Sequence, residues 1–269
     1  MFAFTTLMIL AHCCGFISCV ILFHQSPYAF EDKDIFLLAG QSNMAGRGGV
    51  LNHNWDHYIP LECRSRPTIL QLTAGLTWEE AREPLHKDID SNKTCGVGPG
   101  LAFANSLLGR NPSLGVIGLV PCAVGATSID DWKRGSFLYN QLLNRAEAAL
   151  QDGGQIRALL WYQGENDTVN KSDAELYKMR LKEFFIDIRT DLASPTFPIV
   201  QVALASALGP YLDTVRKAQL GINLPNVTRV DAKGLQVKEK DRVHLTTSAQ
   251  VLLGKMLADG FLRIAPTID

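Results

Sequence analysis

Residues 36–49 read FLLAGQSNMAGRGG: an apolar run that breaks at Gly40 into two amides, a lone Ser42 and a string of glycines. A short, continuous apolar run bounded by glycine is what a strand buried on both faces requires, and such strands belong to parallel sheets covered by helices. The chain repeats the pattern outward from there. β-rich runs at Asp34–Ala39, Gly115–Pro121, Ile156–Tyr162, Pro198–Leu204 and Val227–Asp231 alternate with segments of helical period at Leu101–Leu108, Leu138–Leu150, Asp173–Leu192, Leu212–Ile222 and Ser248–Leu262. That alternation predicts an α/β fold made of crossover units around a five-stranded parallel sheet. Thr247, followed three positions later by Gln250, predicts a capping box for the last helix.

The stretch Leu51–Gly100, rich in Asn, His, Pro, Trp and Gly, breaks this rhythm and reads as a long loop insertion. Within it, TWEEAREPLHKDID (residues 77–90) predicts a short helix and turn. Open parallel sheets bind ligands beyond the carboxyl ends of their strands, so an insertion after the first strand would roof such a site.

A chain of 269 residues with ordinary apolar and charged fractions holds one substantial core, so a single domain over 31–269 is expected. The formal net charge of −1, with basic residues scattered, argues against nucleic acid or an anionic membrane surface as partner. Residues 1–30 differ, carrying no Asp, Glu, Lys or Arg. They predict a secretory signal and an extracellular location; an uncleaved membrane anchor is the alternative, because the α-amino group is the sole charge and no A-x-A site precedes Glu31. Beyond that leader lie Cys63, Cys95 and Cys122. One disulfide between Cys63 and Cys95 suits an oxidising compartment, with Cys122 packed as a small hydrophobe, and no spacing suggests a metal site. Asn-x-Ser/Thr acceptors fall at Asn92, Asn166, Asn170 and Asn226.

Ser42 at a buried strand's tip suits a nucleophile exposed at the mouth of the sheet; a plain N-cap of a tight turn is the competing reading. The glycines at 40, 46, 48 and 49 do not make G-x-G-x-x-G, and no Gly-Lys-Ser/Thr follows, which removes dinucleotide and phosphate-loop readings. A serine needs a base. His53, His57 and His86 fall in the insertion and read as surface residues, whereas His244, with Asp241 three positions earlier in KDRVHLTTSAQ, sits in a turn where a carboxylate can fold onto the imidazole. Two other strand ends, PCAVGATSIDDW and LLWYQGEND, offer the Gly125 amide and the Gln163 side chain as donors to an oxyanion. Glu165 and Asp167 neighbour each other on one turn instead of opposing each other, which does not suit glycoside cleavage. Trp55, Trp78 and Trp132 are read as packing residues before sugar platforms.

The words GQSNMAGRG, GVGPGLAFA, PCAVGATSIDDW, WYQGENDT and DRVHLT, in that order and over nearly the whole chain beyond the leader, resemble the plant carbohydrate esterases of the sialate O-acetylesterase-like group in the SGNH hydrolase superfamily. The resemblance implies a three-layer α/β/α sandwich with flavodoxin-like strand order and hydrolysis of acyl esters, commonly acetyl, on carbohydrates without metal or organic cofactor. It implies Ser42 as nucleophile, His244 as general base and acid, Asp241 as its orienting partner, and an oxyanion hole from the Ser42 and Gly125 amides with Gln163. Relatives often carry two glycines where this chain has Gly125-Ala126, and the apolar N-terminus departs from the plant branch. Two alternatives stand beside this reading: a carbohydrate-binding protein on a non-catalytic scaffold, and a thioesterase or lipase using the same triad.

Overall fold

The structure, a computed structural model, describes residues 32–265. The apolar segment 1–30 therefore lies outside the described residues, among which no helix is long and apolar enough to cross a membrane. In chain order the elements are β1 (Lys33–Gly40), the single turn α1 (Ser42–Ala45), the two-residue ribbon β2 (Val50–Leu51) and β3 (Asn54–Trp55), β4 (Ile69–Leu72), β5 (Trp78–Glu80), α2 (Gly100–Arg110), β6 (Val116–Pro121), α3 (Phe137–Leu150), β7 (Gln155–Tyr162), α4 (Lys171–Asp191), β8 (Ile199–Ala203), α5 (Leu212–Leu220), β9 (Val227–Asp231) and α6 (Thr247–Leu262).

Seven strands form the main sheet, in the order β5-β4-β6-β1-β7-β8-β9. The five strands expected from the sequence are the contiguous parallel set β6-β1-β7-β8-β9, with β9 at the edge, in flavodoxin-like order. The two others come from the insertion. β4 runs parallel to β6, and β5 closes the edge antiparallel to β4. Segment 77–90, expected as helix and turn, instead opens with β5, because Trp78 anchors it: the indole is 4% exposed and lies across Gly118 of β6, where a Cβ would come within 2.7 Å of the ring.

Ile35, Phe36, Leu37, Leu38 and Ala39 of β1 are all fully buried, as a strand covered on both faces demands. Phe36 meets Phe103 of α2 and Phe261 of α6 edge-on, each at 4.9 Å, which defines one helical layer. Trp161 of β7 pairs in register with Ala39 and so points to the opposite face, where it packs against Phe184 and Phe185 of α4. With α2 and α6 on one side and α3, α4 and α5 on the other, the molecule is an α/β/α sandwich. The cap of α6 falls one residue earlier than the expected box: Thr246 Oγ1 accepts from the Ala249 amide at 3.3 Å, while the Gln250 side chain is buried and has no partner among the described residues.

Cys63, Cys95 and Cys122 are free and buried, so the Cys63–Cys95 disulfide is not formed. Cys95 Sγ instead accepts from Arg47 Nη1 at 3.3 Å, and burial pushes its thiol up to about 11. His86, expected at the surface, is 1% exposed; it lies under the end of β1, with Nε2 3.4 Å from the Leu38 carbonyl, and burial pushes its pKa down to about 3.

Candidate active site

β1 delivers Ser42 to the carboxyl edge of the sheet through a turn that only glycine can make. Gly40 has φ +129°, and a Cβ there would stand 2.1 Å from the Tyr162 carbonyl oxygen of β7. The two strand ends are then stapled, since the Gln41 amide donates to that same carbonyl at 2.9 Å. On the other side the Val124 amide donates to the Gly40 carbonyl at 3.0 Å, which brings the loop after β6 alongside.

His244 and Asp241 arrive from the far end of the chain on a hairpin. Lys238 donates its amide to the His244 carbonyl (2.8 Å) and Thr246 its amide to the Gln236 carbonyl (3.0 Å). Within it, Asp241 Oδ1 accepts from the amides of Val243 (3.0 Å) and His244 (2.9 Å), leaving Oδ2 to face His244 Nδ1 at 2.9 Å. Nε2 of the same ring lies 3.0 Å from Ser42 Oγ. With the Nδ1 proton directed at a carboxylate, Nε2 is left as the acceptor of the serine proton.

The electrostatics follow from these contacts. Partial burial works to raise the Asp241 carboxyl, but hydrogen bonds from the His244 and Val243 amides, the His244 ring and Lys238 Nζ (3.0 Å) outweigh it and hold the group well below the usual carboxylate range. Burial lowers the His244 pKa from 6.5, against the pull of Asp241. The nearby charges of Lys238 and Arg47 act with burial and favour the neutral ring.

A cavity of about 760 Å³ opens over this cluster, lined by Ser42, Arg47, Gly125, Ala126, Asp241 and His244, with the insertion contributing Asn52, His53, Asp56, Lys93 and Thr94. Gly125 sits where a Cβ would be 3.5 Å from Ser42 Cβ and 2.7 Å from Arg47 Nη2. Its missing side chain is what lets the buried Arg47–Asp90 ion pair slide beneath the loop. The amides of Ser42 and Gly125 have no acceptor among the described residues. Ala126 is held at φ +63°, in the left-handed region where a Cβ is disfavoured.

Gln163 departs from the expectation. It is fully buried and does not line the cavity, and its Nε2 already faces Gln41 Oε1 (3.2 Å), the Thr127 carbonyl (3.0 Å) and Asp167 Oδ2 (2.6 Å). Two amide hydrogens opposite three acceptors leave none for an oxyanion. Gln163 ties the loops after β6 and β7 together beneath the site instead. The three tryptophans also lie away from the cavity lining: Trp132 is fully buried, donating to Thr127 Oγ1 at 3.1 Å, Trp78 anchors β5, and half-buried Trp55 rests against His57 at 4.7 Å.

Asn43 is the residue that sequence reasoning passed over, although GQSN contains it. Its Nδ2 donates to the Val243 carbonyl (3.1 Å) and to Glu165 Oε1 (2.7 Å), and its Oδ1 accepts from the Leu245 amide (2.9 Å). The residue after the serine thus grips both neighbours of His244. Behind it, Glu165 is fully buried, its Oε2 has no partner among the described residues, and burial raises its pKa to about 7.

The sequence profile of the family described as carbohydrate esterase, sialic acid-specific acetylesterase, matches residues 32–263. A probable carbohydrate esterase of Arabidopsis thaliana is 53% identical over 245 residues, covering 88% of this chain and 93% of that protein. An X-ray structure of an Arabidopsis thaliana protein superposes with a TM-score of 0.85 at 50% identity, over 88% of this chain and 100% of the other. A carbohydrate acetylesterase from Xanthomonas citri shares the fold at a TM-score of 0.63 and 20% identity, covering 86% of this chain and 56% of its own.

Proposed function

Because the chain belongs to the carbohydrate esterase, sialic acid-specific acetylesterase family and is a carboxylic ester hydrolase, we propose that it removes O-acetyl groups from sugars through Ser42, His244 and Asp241. The observation that carries the reading is the unbroken chain of contacts from Ser42 Oγ through His244 to Asp241, opening into one cavity. His244 Nε2 takes the Ser42 proton as Oγ attacks the ester carbonyl. The tetrahedral oxyanion is held by the Ser42 and Gly125 amides. As the bond to the sugar oxygen breaks, His244 returns the proton to it and leaves an acetyl-serine. Water, deprotonated by the same imidazole, then releases acetate.

The polar rim formed by Asn52, Asp56, Lys93 and Lys240 supports a hydroxylated leaving group over a lipid. The test is acetate release from a panel of O-acetylated sugars, with and without prior treatment by a serine-directed fluorophosphonate, followed by peptide mapping. Release that the reagent abolishes, with its mass on Ser42, is the expected result. Sugar binding with no turnover would instead favour a non-catalytic binding protein.

The acid limb of kcat/KM on p-nitrophenyl acetate is expected to have its midpoint below 6.5, because burial depresses the His244 pKa and only the neutral ring can accept the serine proton. Activity is therefore full above that midpoint and lost as pH falls through it. A midpoint above 6.5 would show instead that the charge of Asp241 outweighs burial at the ring.

Asn43→Ala should lower kcat by about 10- to 100-fold while changing KM little, since it frees both neighbours of His244 and lets the ring drift from Ser42. A rise in KM at constant kcat, in protein that melts as the wild type does, would show that Asn43 does not position the base.

A further inference from the structure

The catalytic cavity does not end at Ser42. A second cavity of about 630 Å³ adjoins it, and Thr246 and Thr247 line both. The same two stretches of chain wall the pair: residues 49–56 and then 58–62 on one side, residues 238–247 and then 246–255 on the other. The two cavities thus meet at the first turn of α6, the inner half at Ser42 and the outer half beyond it. Resting on the esterase reading above, we propose that this outer half is a second saccharide subsite, and that the enzyme's substrate is an acetylated oligosaccharide or polysaccharide chain.

The lining has the mixture a sugar ring needs, which is a flat apolar surface for its C–H face and hydroxyl or charged groups for its edge. Tyr58, 63% exposed, and Leu252, 49% exposed, both line this cavity and supply its apolar surface. Tyr58 is not on a loose end, because its amide donates to Asp56 Oδ1 at 2.9 Å. The hydroxyls of Thr246 and Ser248, 3.1 Å apart, stand at the sill between the two halves. Beyond them Lys255 Nζ and Glu62 Oε1 pair at 2.9 Å, tying the short helical turn Leu61–Cys63 to α6.

Size supports the same conclusion. Pockets for drug-sized ligands occupy about 300–1,000 Å³, so the catalytic cavity alone already accommodates one acetylated sugar. The adjoining volume is then room for the next residue of a chain. The pair Lys255–Glu62 and the threonine and serine hydroxyls favour a polyhydroxylated occupant over a lipid tail.

The test compares chemically acetylated xylo-, manno- and gluco-oligosaccharides of one to four residues. Wild-type kcat/KM should rise about tenfold or more between monomer and the longer chains, and Tyr58→Ala and Leu252→Ser should remove that rise through KM. Both variants should hydrolyse p-nitrophenyl acetate at the wild-type rate. Length-independent kcat/KM in every series, or variants that retain the rise, would overturn the subsite. So would a gain with lengthening p-nitrophenyl acyl chains that the same substitutions abolish, since that would assign the groove to the acyl group. Calorimetric binding of unacetylated oligosaccharides by Ser42→Ala separates the two proposals: length-dependent binding without wild-type turnover would sink the esterase reading and keep the groove, and turnover without such binding the reverse.

Discussion

Ser42→Ala is expected to lower kcat on p-nitrophenyl acetate by about five to six orders of magnitude while leaving the protein folded. The loss is large because, among the described residues, the hydroxyl is the nucleophile that His244 reaches, at 3.0 Å. It does not fall to the uncatalysed rate, since alanine keeps the backbone amide and Gly125 keeps its own, so a residual acceleration of roughly 10³-fold over water should persist. Stability should change little, because Ser42 Oγ has His244 as its hydrogen-bond partner and fills little volume. Thermal melting alongside acetate release checks both halves. Activity within tenfold of wild type would place the nucleophile elsewhere.

Asp241→Asn is the second large effect, about 10⁴-fold in kcat. The substitution keeps the shape of the turn, since an amide oxygen can still accept from the Val243 and His244 backbone amides. What replaces Oδ2 is then an NH₂ group, which faces both His244 Nδ1 and Lys238 Nζ. A donor there drives the imidazole proton to Nε2, where it points at the serine and cannot accept from it. The ammonium of Lys238 also loses its counter-charge. Steady-state kinetics across pH, with fluorophosphonate labelling rates as a second readout, would detect this; less than a tenfold loss would mean Asp241 does not orient the ring.

The architecture was legible because both-face burial leaves a strong mark: the expected runs became β1, β6, β7, β8 and the more exposed edge strand β9, with no end shifted by more than one residue. β4 and β5 left no comparable mark. They are four and three residues long, at the edge, and are held by contacts such as Trp78 on Gly118 that exist only after the chain has folded. The cluster of Asp241 with His244 was readable because three residues of separation suffice for the carboxylate to reach the ring. Gln163 was misjudged for the opposite reason. Its word, WYQGEND, places an amide at a strand end correctly, but Thr127 from another loop and Asp167 four positions on claim its hydrogens, and that is tertiary information. Asn43 was hidden likewise, its partners Val243 and Leu245 lying about two hundred positions away.

That separation carries a consequence for how the molecule matures. Ser42 and His244 are 202 positions apart, and the hairpin bearing His244 is docked through Asn43 and Ser206. Closing so long a loop costs chain entropy before the contact repays it. A growing polypeptide therefore cannot bring the Ser42 hydroxyl against the His244 ring until residue 244 has been made.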